Sequence, residues 1–563
     1  MQSTVFTDIQ WDEKWDDEIG LWWQDGGHTA PIAHLPRVHA GTTAVKRLLL
    51  AAQTGQMEQI DSHKILTALS QMLCEEDGRL KGCFRWYWEE ERPVDTNASF
   101  FTGLPLLFLR ICHSDQLDDW SKAKIEDILR RLEVWFRCVV QERHPYYPNS
   151  FLGDLVCEWL LVETLGLRDT EYLESIMLET ANYWLEQHWG WGEHLSDGYS
   201  GVCLNEFSAL LLLSKRLPEQ IRDKYFQLFS ELLALEDRFD GKPRVPALRS
   251  YAFLTSPKHV NYRDRVRPHT EESARAAFHG GLSLEPTLYA QGWHQSAPPR
   301  APKSESIEIP CFDGVTATAR VEDDIRMGSV SRFPLMMSAE HPDWGLGWQC
   351  FPACFWRNEG DWAFLQWETR EEDRTRCHPA EHMKTAYLGN ALSLAVYPPV
   401  VGRTYAIQHA GNLVALRVMT TVPRTWERLT DRMRIVENRA QVSEARLDGC
   451  SQILFGYPER TVSIQCVPLT GASMPSLNEH DGVLDWELNY TREDLAPLRM
   501  IVTMWAISLN GKITEPPKLV QLPESHFVPR QKEERAWEVT WQWPDVNWHL
   551  NVDPLNPEPL REN

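Results

Sequence analysis

The hydrophobic residues of this chain change their period once, near Pro298, and that change limits the fold more than any other feature. From about residue 42 to 295 they recur at helical spacing: in KAKIEDILRRLEVWFRCVVQE, residues Ile125, Ile128, Leu129, Leu132, Phe136 and Val139 form one stripe. Similar stripes run through TTAVKRLLLAAQ, SHKILTALSQML, SFFTGLPLLFLRIC, NSFLGDLVCEWLLVETLG, EYLESIMLETANYWLEQHW, GVCLNEFSALLLLSKRL and KYFQLFSELLALEDRF. Short connectors with Gly, Pro, Asp or Asn separate them, which favours antiparallel neighbours, and about ten such helices fit a toroid of paired helices better than a four-helix bundle. No strict repeat marks a solenoid family.

Beyond the boundary the period is two. GVTATARV, DRMRIVE, RTVSIQCVPL, VLDWELNY and AWEVTWQW alternate; in the last, Trp537, Val539, Trp541 and Trp543 share one face. Many short strands separated by turns predict an antiparallel β-sandwich. The fold class expected is therefore multidomain α plus β. An all-helical, incomplete (α/α) toroid spans residues 1–297, a Pro-rich linker 298–310 and the sandwich 311–563. A chain of 563 residues exceeds what one core usually serves, which agrees with two domains.

Net charge is −23, a poor footprint for binding phosphate backbones or anionic membrane surfaces, so nucleic acid and membrane are not expected partners. No apolar run approaches the roughly 18 residues of a spanning helix. MQSTVFTDIQWDEKWDDEIG is acidic and lacks the n- and h-regions of a secretory signal, from which we expect a cytoplasmic protein, or a secreted one if a leader precedes it. The 12 Cys are scattered without close pairs, as buried thiols of a reducing compartment are. Trp is the compositional outlier, with 25 copies. Indole faces stack on sugar rings, although core filling is the plainer use of any one of them.

Four stretches break the helical pattern with polar and aromatic residues, as cleft loops do. GCFRWYWEEERPVDTNASFFTG carries Arg85, Trp86, Trp88, Asp95 and Asn97, with capping of the next helix by Thr96 or Asn97 as the plainer alternative. ERHPYYPNSFLGD carries His144, Tyr146, Tyr147 and Asn149, the last also a capping candidate. HWGWGEHLSDGYSGVCLNEF carries Trp189, Trp191, Glu193, His194, Asp197 and Tyr199, more chemistry than a turn requires. RVPALRSYAFLTSPKHVNYRDRVRPHT holds Arg244, Arg249, Tyr251, Lys258, His259, Arg263, Arg265 and Arg267. This basic stretch suits carboxylate or sulfate, or else is a solvated loop paired with the acidic toroid. In the β half, Arg332, His341, Trp344, Trp348 and Trp356 are followed by Arg374, Arg376, His378, His382 and Tyr387. Pro379 between His378 and His382 weakens any zinc reading. No Walker loop, dinucleotide fingerprint or nucleophile elbow is placed on a strand-to-helix turn, so no cofactor is expected, a structural divalent metal being left open.

Helical toroid, Trp-rich sandwich and the loops GEHLSDGY and DTNASFF together resemble the toroid-plus-sandwich polysaccharide lyases, heparinase II/III-like and alginate-lyase enzymes among them. That resemblance implies β-elimination on an acidic oligosaccharide or polysaccharide. By analogy Asn97 neutralises the uronate carboxylate, Tyr146, Tyr147 or Tyr199 protonates the leaving oxygen, and His194, His341 or His378 takes the C5 proton. Arg249 or Arg376 shares the neutralisation, with Trp88, Trp191, Glu193, Tyr251, His341 and Trp344 lining the subsites. The chain departs from the family where Asn is commonly followed by His, since Ala98 follows Asn97. Two other readings stay open. A glycoside hydrolase would draw a carboxyl pair from Asp95, Glu158, Glu193 and Asp197, and a carbohydrate-binding protein would only stack sugars.

Overall fold

The computed structural model describes residues 11–142, 145, 147–190, 193–250, 252, 256–257, 304–333, 350–358, 360–371, 374–376, 402–419, 427–436, 440–447, 450–469, 474–495, 501–511, 518–521, 537–542 and 547–552. Its helical half is built from α1 (Gly41–Thr54), α2 (Ser62–Gln71), α3 (Ala98–Cys112), α4 (Asp119–Glu142), α5 (Pro148–Leu165), α6 (Glu171–Glu186), α7 (Asp197–Leu213) and α8 (Glu219–Arg238). Odd-numbered helices pack side by side, α1 on α3, α3 on α5 and α5 on α7. The even-numbered ones lie outside, α2 against α4 and α6 against α8. This is the alternation of an incomplete toroid of helical hairpins.

Sequence pattern explains the two layers. The outer α4 buries only a stripe, with Ile125, Ile128, Leu129, Leu132, Phe136 and Val140 inward. Inner α5 touches neighbours on several sides and buries nearly its whole surface from Pro148 to Val162, so its apolar residues show little periodicity. Left-handed glycines end two inner helices, Gly55 at φ 68° after α1 and Gly166 at φ 60° after α5, where a Cβ would be strained.

The first half is not wholly helical. Strands β1 (Trp15–Asp16), β2 (Leu21–Asp25) and β3 (Arg37–His39) form a small antiparallel sheet ahead of α1.

The second half is antiparallel throughout its described pairings. A nine-stranded sheet contains β4 (Glu305–Pro310), β5 (Thr316–Val321), β6 (Ile325–Val330), β8 (Ala353–Arg357), β9 (Trp362–Glu371), β10 (Arg374–Arg376), β13 (Arg428–Val436), β17 (Ser476–His480) and β18 (Val483–Thr491). A seven-stranded sheet contains β7 (Arg332–Phe333), β11 (Gly402–His409), β12 (Asn412–Met419), β14 (Gln441–Leu447), β15 (Cys450–Gly456), β16 (Thr461–Pro468) and β19 (Ile501–Ser508). Met327, Phe355, Met433 and Trp486 of the first sheet meet Leu413, Phe455, Ile464 and Trp505 of the second in one core, which makes the pair a sandwich. Strand β4 starts at Glu305 and pairs with β5, so the stretch expected as linker already contributes an edge strand.

The nine-stranded sheet is covered on its other face as well. Ile307, Ala317, Ala319, Val321, Cys354 and Phe364 pack on Leu195, Phe239, Val245, Ala247 and Leu248, which follow or flank the last helices. Two buried faces account for β6 being buried at every residue where simple alternation was expected. Contact there is backbone to backbone: Phe351 N donates to Ala247 O at 2.8 Å, and a Cβ on Gly328 would lie 2.2 Å from Pro246 N. Among the described residues no helix is long and apolar enough to cross a membrane.

Candidate active site at the inner-helix N-termini

Because each inner helix returns through an outer one, α3, α5 and α7 run parallel and begin at the same end. Side-chain bonds tie those beginnings together: Ser150 of α5 donates to Asn97 Oδ1, just before α3, at 2.9 Å. Glu193, just before α7, accepts from Asn149 N of α5 at 2.9 Å and also from the Asn149 amide. Parallel helix starts bring the positive ends of three macrodipoles to one place, a setting that favours an anion such as the Glu193 carboxylate.

The capping expectations are corrected here. Asn97 has helical backbone angles and makes no side-chain cap. Its amide oxygen is turned to Ser150, and Asp95 Oδ1 accepts from Asn97 N at 3.1 Å. Asn149 lies within α5, behind Tyr147 and Pro148, and the acceptor for its N–H comes from Glu193, 44 residues away. Of α3, α5 and α7, only α7 has a local side-chain cap, Ser196, whose Oγ accepts from Tyr199 N at 3.2 Å and donates to Arg249 O at 2.8 Å.

Arg249 is the centre of the arrangement. Its Nη1 donates to Glu193 Oε1 at 2.7 Å in a pair whose side chains are 7% and 1% exposed. Its guanidinium lies 4.2 Å over the Tyr199 ring and 5.9 Å from that of Tyr147. The backbone is at φ 53°, unusual for a residue with a Cβ, and is held by Ser196 and by the Arg249 N–H to Cys350 Sγ contact of 3.3 Å. Arg244 also points inward, donating to Ser196 O at 3.3 Å and to Ser200 Oγ. Where described, the basic segment is thus a buried clamp between toroid and sandwich, and the solvated-loop alternative fails for both arginines.

Of the other expected residues, Tyr147 and Tyr199 are half-buried and face Arg249. Trp88 is half-buried beside α1, its carbonyl accepting from Arg85 Nη1 at 3.1 Å, apart from this group. His194 is removed from the cleft. Its ring is 4% exposed, Nε2 lies 4.0 Å from Cys311 Sγ, and burial pushes its pKa down to about 3. A neutral imidazole facing the sandwich wall offers no base to a sugar outside. Trp191, Tyr251, His341, Trp344 and His378 lie outside the described residues, as do the side chains of Asp197 and Arg376.

Two groups escaped the sequence reading. His28, before α1, meets Tyr87 Oη through Nδ1 at 2.7 Å and Asp95 Oδ2 through Nε2 at 3.1 Å, with Trp86 edge-on at 4.5 Å. Separations of 59 and 67 residues leave no local signal of this contact. The result is a continuous polar chain, Tyr87–His28–Asp95–Asn97–Ser150–Asn149–Glu193–Arg249. Second, Asp154 of α5 and Glu206 of α7 are buried carboxyls whose Asp154 Oδ1 and both Glu206 oxygens lack hydrogen-bond partners. Burial, reinforced for Glu206 by Asp154 and Glu193, raises both well above the usual carboxylate range, which favours their neutral forms. Their periodicity made them look like ordinary members of apolar helices. Among the described residues no group of three His, Cys, Asp or Glu is placed to hold a metal.

No family model matches the chain, and no curated protein does. Among solved structures it is similar to a heparinase III, at 8% identity over 91% of this chain and 82% of that one, with a TM-score of 0.44. It is also similar to a heparinase III gene product (10%, 90% and 83%, TM-score 0.37) and to a heparan sulfate lyase mutant from Pedobacter heparinus (9%, 91% and 82%, TM-score 0.36). At such identities and TM-scores these likenesses assign no family.

Proposed function

We propose that this chain is a lyase that cleaves uronate-containing oligosaccharides or polysaccharides by β-elimination at the inner-helix N-termini. The observation that carries the reading is the convergence of Tyr199 and Tyr147 on Arg249 beside the starts of α3, α5 and α7. Elimination needs this combination. Loss of the C5 proton puts charge on the neighbouring carboxylate, which a cation and fixed N–H dipoles stabilise. The C4–O bond then breaks, a C4=C5 double bond forms, and the leaving oxygen takes a proton from a positioned phenol. In this reading Arg249 and Asn97 face the carboxylate, and Tyr199 and Tyr147 divide the proton transfers. His28, held by Asp95 and Tyr87, fixes the loop that carries Asn97.

Hydrolysis is supported less well. It requires two available carboxyls on either side of a glycosidic bond. Glu193 is engaged by Asn149 and Arg249, Asp95 by His28 and Asn97, and Glu158 by Arg168 and Tyr172. Asp154 and Glu206 are sealed in the helical core.

A panel of uronate-containing glycans, followed by the ultraviolet absorbance of the unsaturated product, tests the reading. Tyr199→Phe is expected to lower kcat by about 10²- to 10⁴-fold with a smaller change in KM. Release of reducing ends without that absorbance would establish hydrolysis instead.

A further inference from the structure

His39, the last residue of β3, stands between two carboxylates from different segments. Its Nδ1 lies 2.6 Å from Glu89 Oε1, in the loop that leads to Asp95 and Asn97. Its Nε2 lies 3.3 Å from Asp16 Oδ2, at the end of β1. Only 11% of the His39 side chain is exposed. Both carboxylates are held in place by backbone: Glu89 Oε2 accepts from His39 N at 3.1 Å, and Asp16 Oδ1 accepts from Glu18 N and Ile19 N at 3.0 and 3.1 Å in the turn between β1 and β2.

A neutral imidazole has one N–H and one bare nitrogen, so whichever way it is protonated it sets a lone pair against one of the two carboxylates. Only the imidazolium offers a positive N–H to each. Consistent with this, the hydrogen bond to Glu89 raises the His39 pKa above the ordinary histidine value; burial opposes the rise, and the charges of Glu89 and Asp16 add to it. The nearby cations are directed elsewhere. Lys14 pairs with Asp25 and lies over the Trp23 ring, which Arg37 also covers, while from α1 Lys46 lies over Phe101 and Arg47 over Trp22. Glu90, beside Glu89, accepts from Thr29 and from the Trp86 and Tyr87 N–H groups.

The two contacts differ in what else supports them. The loop is tied to β3 by backbone as well, Trp88 N donating to His39 O at 2.9 Å. Strand β1 is two residues long and pairs with β2 only at Trp15 and Asp16, so it depends more on side chains. Because β2 lies between β1 and β3, the Asp16–His39 ion pair spans the middle strand of the sheet.

We propose that His39 is a pH-operated latch on the N-terminal sheet, holding the β1–β2 turn while it is an imidazolium and releasing it on deprotonation. The neutral ring keeps its N–H on Glu89, the shorter contact, and Asp16 is left facing a bare nitrogen and a second carboxylate. The raised pKa fixes the sign: the latch is closed below the ordinary value of about 6.5 and is lost as pH climbs through the higher value of folded His39. The latch lies outside the group around Arg249, and its failure leaves the elimination reading untouched.

The test is hydrogen–deuterium exchange of the full chain from about pH 6 to pH 9, corrected for the intrinsic pH dependence of exchange. Gly20 N and Trp23 N donate to Asp16 O and Lys14 O at 2.8 and 2.9 Å and so report the β1–β2 pairing. Protection of peptides covering residues 14–25 should fall by about tenfold for each pH unit by which the His39 pKa is raised, since the two effects are one coupling. Protection of α1 should not change. NMR of protein labelled at histidine Cε1 measures that pKa, the His39 signal being the one lost in His39→Gln. Asp16→Asn keeps the acceptor for Glu18 and Ile19 and gives Nε2 an amide donor. It should hold the hairpin's protection constant over the same range, and as a change at a partly exposed site it tests the latch even if His39→Gln does not fold. The inference is overturned if His39 titrates at or below the ordinary value, if the parent's hairpin keeps its protection through that titration, or if Asp16→Asn shows the same fall as the parent.

Discussion

Arg249 shows how one residue joins the halves of the molecule. Its guanidinium serves the helical side through Glu193 and Tyr199, while its backbone N–H reaches Cys350 of the β half. Removing one member of a buried pair strands the other's charge, so Arg249→Ala should cost about 3–5 kcal/mol, and adding Glu193→Gln should recover part of it. Chemical denaturation of the single and double variants measures this; equal losses in both would mean that the pair is not coupled. Glu206 gives a prediction with a pH sign. Its folded pKa is raised, so above the ordinary carboxylate range the unfolded chain sheds a proton that the folded chain keeps. Stability therefore falls as pH rises, by about 1.4 kcal/mol for each pH unit, until the folded group ionises. Glu206→Gln removes that loss. Its melting temperature relative to the parent should climb as pH rises above the ordinary carboxylate range, and a gap independent of pH would contradict the assignment. The identities of Tyr147, Asn97, Tyr199 and Arg249 were legible as chemistry in polar loops. The burial of His194 was not, since GEHLSDGY looks the same whichever way its imidazole turns.

Among elements, the inner helices were legible as helices but not as a layer. Their even apolarity says that they are surrounded, and only packing decides by what. Their parallel starts make the candidate site, because three dipole ends add at one place. The contact between β6 and the 245–248 segment is equally a matter of packing. Gly328 reads as an ordinary strand glycine, yet Pro246 N and Val245 C would lie 2.2 and 2.3 Å from a Cβ there. Backbone cannot rotate away as a side chain can. Gly328→Ala should destabilise the junction by about 1–3 kcal/mol and, with Arg249 three residues beyond Pro246, reduce activity as well. Thermal melting and product formation measure both, and a variant indistinguishable from the parent in each would show that the two backbones are not in contact.

For the whole molecule the governing quantity is charge. A net charge of −23 repels an anionic glycan at long range, although Arg249 and three helix starts attract it at short range. Salt screens the distant term first, over a Debye length of about 10 Å at 0.1 M. We therefore expect kcat/KM on a uronate polymer to rise with ionic strength from about 0.01 to 0.1 M, before screening at the site reverses the trend. A steady fall from the lowest salt would mean that local attraction dominates throughout. The succession of helical toroid and sandwich was set by the sequence alone. A hydrophobic period of 3.6 or of 2 commits each segment to the one geometry that buries it. Position of the site was decided by tertiary structure. His28 and Asp95, Asn149 and Glu193, and Arg249 and Cys350 are 67, 44 and 101 residues apart, and no local pattern encodes which distant groups the packing of helix on helix and sheet on loop will bring within hydrogen-bonding distance.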